Sequence, residues 1–131
     1  MDYCGVLDGT DEERERWRAL LAAARANGVA TAVLSNNPGG SEGAPVRALE
    51  EEGVVDVAVL SGEVGAEKPE PEVFDVVAER LGLPVKDCVL VDDSIVNIHG
   101  AVEHGMVGVF YQQFDRAVVE ITGLFDLEGE F

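Results

Sequence analysis

The stretch Val89-Leu90-Val91-Asp92-Asp93-Ser94-Ile95-Val96-Asn97 decides the fold. Cys88 to Val91 carries no polar break, which marks a strand buried on both faces. It runs into two carboxylates and a serine of the kind that caps helices, and the spacing beyond predicts a helix over 94–104 with Ile95, Ile98 and Val102 turned inward. A strand buried on both faces that leads directly into a helix is the unit of a parallel α/β sheet. The same alternation repeats outward. Val29–Leu34, Val57–Leu60 and Val107–Phe110 are further apolar runs. Thr10 and Glu13 make a capping-box pattern, after which Trp17, Leu20, Leu21 and Ala24 line one helix face up to Asn27-Gly28. A short helix is expected from about Pro45 to Glu52, another from Pro71 with a stripe of Phe74, Val77, Ala78 and Leu81, and a last one over Phe114–Leu124. The expectation is a three-layer α/β/α sandwich with a Rossmann-like, mostly parallel sheet, forming a single domain over residues 1–131.

Open sheets of this kind bind ligands at the carboxyl ends of their strands. The polar residues at those ends are Ser35-Asn36-Asn37 after one run and Asp92-Asp93-Ser94 after another. The loop Gly65-Ala66-Glu67-Lys68-Pro69 and the opening Asp2-Tyr3-Cys4-Gly5-Val6-Leu7 are further candidates. A carboxylate pair is a hard-oxygen site that suits Mg²⁺. A serine hydroxyl, a lysine ammonium and helix N-terminal amides suit a phosphate. A further aspartate facing both would be able to attack phosphorus and form an aspartyl phosphate.

Charge narrows the partners. The 131 residues hold 26 acidic and 9 basic side chains, a net charge of -17. That balance disfavours nucleic acid and anionic membrane surfaces, which both require Lys and Arg. No apolar run has the length of a membrane span. Two cysteines make no disulfide framework and suit a reducing, cytoplasmic compartment. Cys88 reads as a small buried hydrophobe, and Cys4 by itself as a packing residue. Tyr111-Gln112-Gln113 reads as a loop after a strand end.

Taken together and in order, Asp2-Tyr3-Cys4-Gly5-Val6-Leu7, Val33-Leu34-Ser35-Asn36, Glu67-Lys68-Pro69-Glu70-Pro71 and Val91-Asp92-Asp93-Ser94 with Asn97, Gly100 and Ala101 resemble the four motifs of the haloacid dehalogenase superfamily. The fourth is most similar to the branch of sugar-phosphate phosphatases and the phosphatase domain of epoxide hydrolases. The resemblance implies a Mg²⁺-dependent phosphatase acting on a small phosphorylated substrate. It implies Asp2 as nucleophile and metal ligand, and Ser35, with Asn36, on the phosphate. It implies Lys68 between nucleophile and phosphate, Asp93 on the metal with Asp92 beside it, and the Cys4 carbonyl as a further metal ligand. Phosphoacceptor signalling domains also combine an acidic pair, a hydroxyl and a lysine, but with the acidic pair first and the lysine last, the reverse of the order here.

Two departures matter. The family's phosphatases carry a second aspartate two residues after the nucleophile as general acid, and Cys4 stands there. A thiol is a poor proton donor to an alkoxide, and general acid catalysis is worth about 10²–10⁴-fold. Activity is therefore expected to be weak, and the alternative is a catalytically inactive relative that binds a ligand or partner. The gaps between motifs hold no cap, so a homo-oligomer in which a second subunit supplies the cover stays open. The other departure is the first strand, which in the family runs several apolar residues ahead of the nucleophile. Only Met1 stands there, so the expectation is either a truncated chain or residues 2–6 serving as a shortened strand. A rival register reads Val6-Leu7-Asp8-Gly9-Thr10 as the first motif and leaves valine at the nucleophile position. The Asp2 register is preferred because Gly5-Val6-Leu7 then also matches.

Overall fold

In the computed structural model, which describes all 131 residues, the apolar runs form two parallel strand pairs. β1 (Ala32–Ser35) pairs with β2 (Val57–Leu60), with Val33 opposite Ala58, and β3 (Val89–Asp92) pairs with β4 (Val107–Phe110), with Val91 opposite Val109. Met1 and Asp2 bridge the pairs. The Met1 nitrogen donates to Ala32 O at 2.8 Å, Leu34 N donates to Met1 O at 2.7 Å, and Asp2 N donates to Val91 O at 2.9 Å. The strand order is therefore β2, β1, the Met1–Asp2 bridge, β3, β4.

Extended chain ends at Asp2, which corrects the expectation of a strand over residues 2–6. Cys4 (φ -64°, ψ 125°) and Gly5 (φ 78°, ψ -2°) have the angles of a type II turn. A bond from Asp8 N to Tyr3 O at 3.1 Å closes the Tyr3–Leu7 coil. Gly5 is required at the positive φ that such a turn places at its third residue.

Six helices complete the layers: α1 (Asp11–Ala26), α2 (Ala44–Glu51), α3 (Ser61–Val64), α4 (Pro71–Leu81), α5 (Ile95–Glu103) and α6 (Phe114–Phe125). The Thr10 hydroxyl caps α1, accepting from Glu13 N at 3.2 Å while donating to the Glu13 carboxylate at 3.0 Å. Successive strand residues enter opposite cores. Val33 joins Trp17, Leu20, Val109, Phe114 and Ile121 on one side of the sheet. Leu34 joins Phe74, Val77, Leu90, Ile98 and Met106 on the other. This alternation is why the strands read as unbroken apolar runs.

Two expectations are corrected. The first strand begins at Ala32 rather than Val29. Ile95 and Val102 are 58% and 51% exposed, and Ile98 and Ala101 are the buried positions of α5. The helix sits so close to its neighbours that small residues face inward: a Cβ on Gly100 would lie 2.6 Å from Pro69 Cβ. Tyr111-Gln112-Gln113 is the loop after β4, as expected, and within it Tyr111 is buried against Trp17, with ring centroids 5.7 Å apart. Cys88 is buried as expected, whereas Cys4 is exposed. No helix is long and apolar enough to cross a membrane.

Candidate active site

Three strand ends meet at one edge of the sheet. β1 delivers Ser35, β3 delivers Asp92, and the Met1–Asp2 bridge between them delivers Asp2. Lys68 reaches this edge from the loop ahead of α4. Its backbone is clamped by Asn36, whose Oδ1 accepts from Lys68 N at 2.9 Å and whose Nδ2 donates to Lys68 O at 3.1 Å. The next residue, Pro69, packs against α5 at Gly100. With its backbone fixed on both sides, the lysine side chain runs inward and is 1% exposed.

An ammonium group has three protons to place. Lys68 Nζ donates to Asp2 Oδ1 at 2.8 Å, to Asp92 Oδ2 at 2.8 Å and to Leu34 O at 2.9 Å. Asp92, fully buried, is itself fixed: Oδ1 accepts from Ser94 N at 2.8 Å and Oδ2 from Asn97 Nδ2 at 3.3 Å. Buried ion pairs add little net stability, because desolvation offsets their attraction. A buried lysine held by two aspartates is therefore better understood as a site than as a staple.

Asp2, Cys4, Ser35, Asn36, Lys68, Asp92 and Asp93 all line one polar cleft of about 270 Å³. The residues singled out in the sequence are thus brought together. The Asn36 side chain, expected on the phosphate, holds the Lys68 peptide. Asp92, expected beside the metal, is the lysine's fixed counterion. Asp8 stays outside this cleft and accepts from Gly5 N at 2.7 Å. Two residues quoted with the motifs were given no role of their own: Asn97, which stands three after Ser94 and donates to Asp92, and Gly5.

Gly5 leaves the space that Asp93 uses. A Cβ there would sit 2.0 Å from Asp93 Oδ2. The exposed Asp93 carboxylate is thereby brought to Asp2, and carboxylate oxygens of Asp2, Asp92 and Asp93 lie within 4.8 Å of one another. Burial pushes the Asp2 carboxyl up to about 6, against the pull of Lys68, and the neighbouring Asp92 and Asp93 push the same way. Three carboxylates and one ammonium leave the cleft short of positive charge. Hard oxygen donors in that deficit fit a Mg²⁺ ion, and Asp2 and Asp93 are the two whose oxygens are not already engaged on all sides. The Cys4 thiol is also pushed up, by burial and then by the charges of Asp8, Asp2 and Asp93. It stays protonated and is no ligand for a hard cation.

A family model described as haloacid dehalogenase-like hydrolase matches residues 2–105. A phosphatase of Mycobacterium tuberculosis is 32% identical over 110 residues, covering 81% of this chain and 48% of that protein. The chain spans half or less of the length of the curated relatives it matches. A solved protein of Corynebacterium glutamicum is 67% identical with a TM-score of 0.98, covering 99% of this chain and 95% of that one. A haloacid dehalogenase family enzyme of Bacteroides thetaiotaomicron, solved with magnesium and inorganic phosphate, is 25% identical with a TM-score of 0.60, covering 76% of this chain and 52% of that one.

Proposed function

The chain belongs to the haloacid dehalogenase-like hydrolases, and from that premise we propose that it is a Mg²⁺-dependent phosphatase that works through an aspartyl phosphate on Asp2. The observation that carries this reading is the buried Lys68 ammonium, held between Asp2 and Asp92 at the mouth of a cleft that also holds Ser35 and Asp93. Asp2 Oδ1 accepts from Lys68 Nζ and from Tyr3 N at 2.9 Å, which fixes the carboxylate and leaves Oδ2 to react. Oδ2 forms a bond to phosphorus as the bond to the leaving oxygen breaks. Water then attacks phosphorus, releasing phosphate and restoring the carboxylate. The Ser35 hydroxyl binds a phosphoryl oxygen throughout, and the Lys68 ammonium, its three protons already placed, offsets charge on the transferring group. When bound by Asp2, Asp93 and the Cys4 carbonyl, Mg²⁺ supplies charge stabilisation to the transferring group.

The substrate class is a small phosphate ester, in keeping with the phosphatase and flavin mononucleotide hydrolase among the relatives. Two free cysteines and the absence of a membrane-crossing helix suit action in the cytoplasm. Cys4 favours a second reading, that of a binding module without turnover, because a protonated thiol at that position protonates an alkoxide poorly. An activated aryl phosphate separates the two, since its leaving group needs little protonation. Mg²⁺-dependent release of the phenol that disappears in Asp2→Asn supports the phosphatase. Equal rates in wild type and Asp2→Asn would leave the binding module.

A further inference from the structure

β4 is the outermost strand on its side of the sheet and pairs with β3 alone. Ladder bonds alternate sides along a strand. Val107 N donates to Cys88 O and Tyr111 N to Asp92 O, so the odd-numbered residues of β4 face β3. Gly108 and Phe110 therefore turn their N–H and C=O groups outward, where no other strand takes them. Exposed edges are ordinarily blunted by charge, proline or a bulge. Val107-Gly108-Val109-Phe110 has none of these, and Val107 and Phe110 are 42% and 40% exposed.

The edge belongs to a wider neutral strip. Ile95, Val96 and Val102 on α5 are exposed as well. From Ser94 to Gln113 there is a single carboxylate, Glu103, and no lysine or arginine, in a chain with 26 acidic residues. A cationic partner finds carboxylates over the rest of the molecule and almost none here. A second copy of the chain is the partner this charge pattern fits. Two neutral strips meet, and the charge of -17 on each copy stays outside the contact.

We propose that two copies of this chain pair β4 with β4 in antiparallel sense about a two-fold axis, so that one sheet runs through both. The register follows from the free groups. With Gly108 opposite Phe110 of the second copy, and Phe110 opposite its Gly108, every outward N–H meets an outward carbonyl. The side chains fit the same register. A Cβ on Gly108 would lie 2.8 Å from Ile98 Cγ2 and 3.0 Å from Val102 Cγ2, so Gly108 faces α5, and Phe110, two residues on, shares that face. Phe110 of one copy then lies across the bare Gly108 of the other and against its Val102, an aromatic ring covering an edge glycine. The helices agree. α5 packs on both β3 and β4, so pairing at strand spacing sets the two α5 helices about 9.6 Å apart, a normal distance for packed helices. Antiparallel strands point their carboxyl ends opposite ways, so the two clefts open at opposite ends and neither copy covers the other's site.

The inference is independent of the chemistry at Asp2 and is read as mass and amide protection. Sedimentation should show the 13.9 kDa chain in equilibrium with its dimer, with a Kd of about 1 mM or tighter that tightens further as NaCl screens the like charges. Hydrogen exchange should protect the Gly108 and Phe110 amides as concentration rises and leave Val109, already bonded to β3, unchanged. Phe110→Lys should weaken the dimer by about thirtyfold or more. Lysine lowers the net charge, so a weaker dimer reports lost fit and not added repulsion. Val102→Lys, at an exposed position on a different element, should act the same way and carries the test if Phe110→Lys does not fold. A chain that stays monomeric at about 1 mM in added salt overturns the proposal and leaves the edge to a strand of another protein. A dimer unmoved by both substitutions, or one that forms with the Gly108 and Phe110 amides unprotected, overturns it as well, because the contact then lies elsewhere.

Discussion

Gly5 shows how much one side chain position can decide. Its φ of 78° is one that residues with a Cβ adopt at a penalty of about 1–2 kcal/mol. Its missing Cβ also leaves the place that Asp93 Oδ2 takes. Gly5→Ala should therefore lower stability by roughly that amount and displace Asp93, and calorimetry should find Mg²⁺ binding weakened at least tenfold. Unchanged Mg²⁺ affinity would mean that Asp93 is not a ligand. Beside it, Cys4 carries the question of proton supply. Cys4→Asp adds little volume at an exposed position and places a carboxyl group where a leaving oxygen would depart. Alkyl phosphate turnover should rise by part of the 10²–10⁴-fold that acid catalysis gives, and aryl phosphate turnover by much less. No gain on either ester, in a folded variant that binds Mg²⁺, would count against the site assignment. Asp2 and Asp92 were legible in the sequence because charged residues at strand ends have few structural reasons to be there, and Lys68 because, with Pro69, it stands in order between the serine and the acidic pair. Gly5 was not, because a glycine's use of space appears only when its neighbours are placed.

At the scale of elements, β2, β4 and α4 lie where the sequence puts them, and each has an unambiguous stop: a glycine, a proline or a run of polar residues. The first strand was misread at its start. Val29 to Thr31 are apolar enough for a strand, but a strand also needs a partner edge, and composition does not report one. The face of α5 was misread because Ile95 and Val102 fit the helical period as well as Ala101 does, and close packing at Gly100 selects the smaller residues. What holds the entry of β1 to β2 is a polar clasp. Asp56 Oδ2 accepts from Thr31 N at 2.8 Å and Thr31 Oγ1 at 3.1 Å, and Asp56 Oδ1 pairs with Arg25 at 2.8 Å. Burial would raise this carboxyl, but the Thr31 hydrogen bonds and the Arg25 guanidinium outweigh it and hold the group below its usual 3.8. A lowered folded pKa contributes stability that is complete above the unfolded value and is lost as pH falls through the folded one. Asp56→Asn should thus reduce Tm at pH 7 slightly, because the clasp is partly solvated. It should also flatten the fall of Tm between about pH 5 and pH 2. An identical acid limb in the two proteins would show that the clasp is not linked to folding.

The whole molecule carries a charge of -17, and three of its carboxylates converge at one cleft. Self-repulsion of that size destabilises a compact chain and is screened by salt, so Tm should rise as NaCl is raised from about 0.01 M to 0.5 M. Any divalent cation will share in this general screening. A bound Mg²⁺ does something else, since it stabilises the native state by mass action, by about 2.7 kcal/mol at a hundredfold excess over its Kd. The two effects separate when MgCl₂ and NaCl are compared at equal ionic strength. Wild type should gain more Tm from MgCl₂. Asp93→Asn should lose that surplus yet start no lower in plain buffer, because removing one of three crowded carboxylates relieves repulsion. This opposite response distinguishes a site from a merely acidic surface. A metal ligand is destabilising when empty and stabilising when filled, whereas a solvated surface carboxylate responds only to ionic strength. If MgCl₂ and NaCl raise Tm equally in both proteins, the convergence of Asp2, Asp92 and Asp93 is a feature of the charge distribution alone, and the proposed phosphatase reaction would have to proceed without the cation.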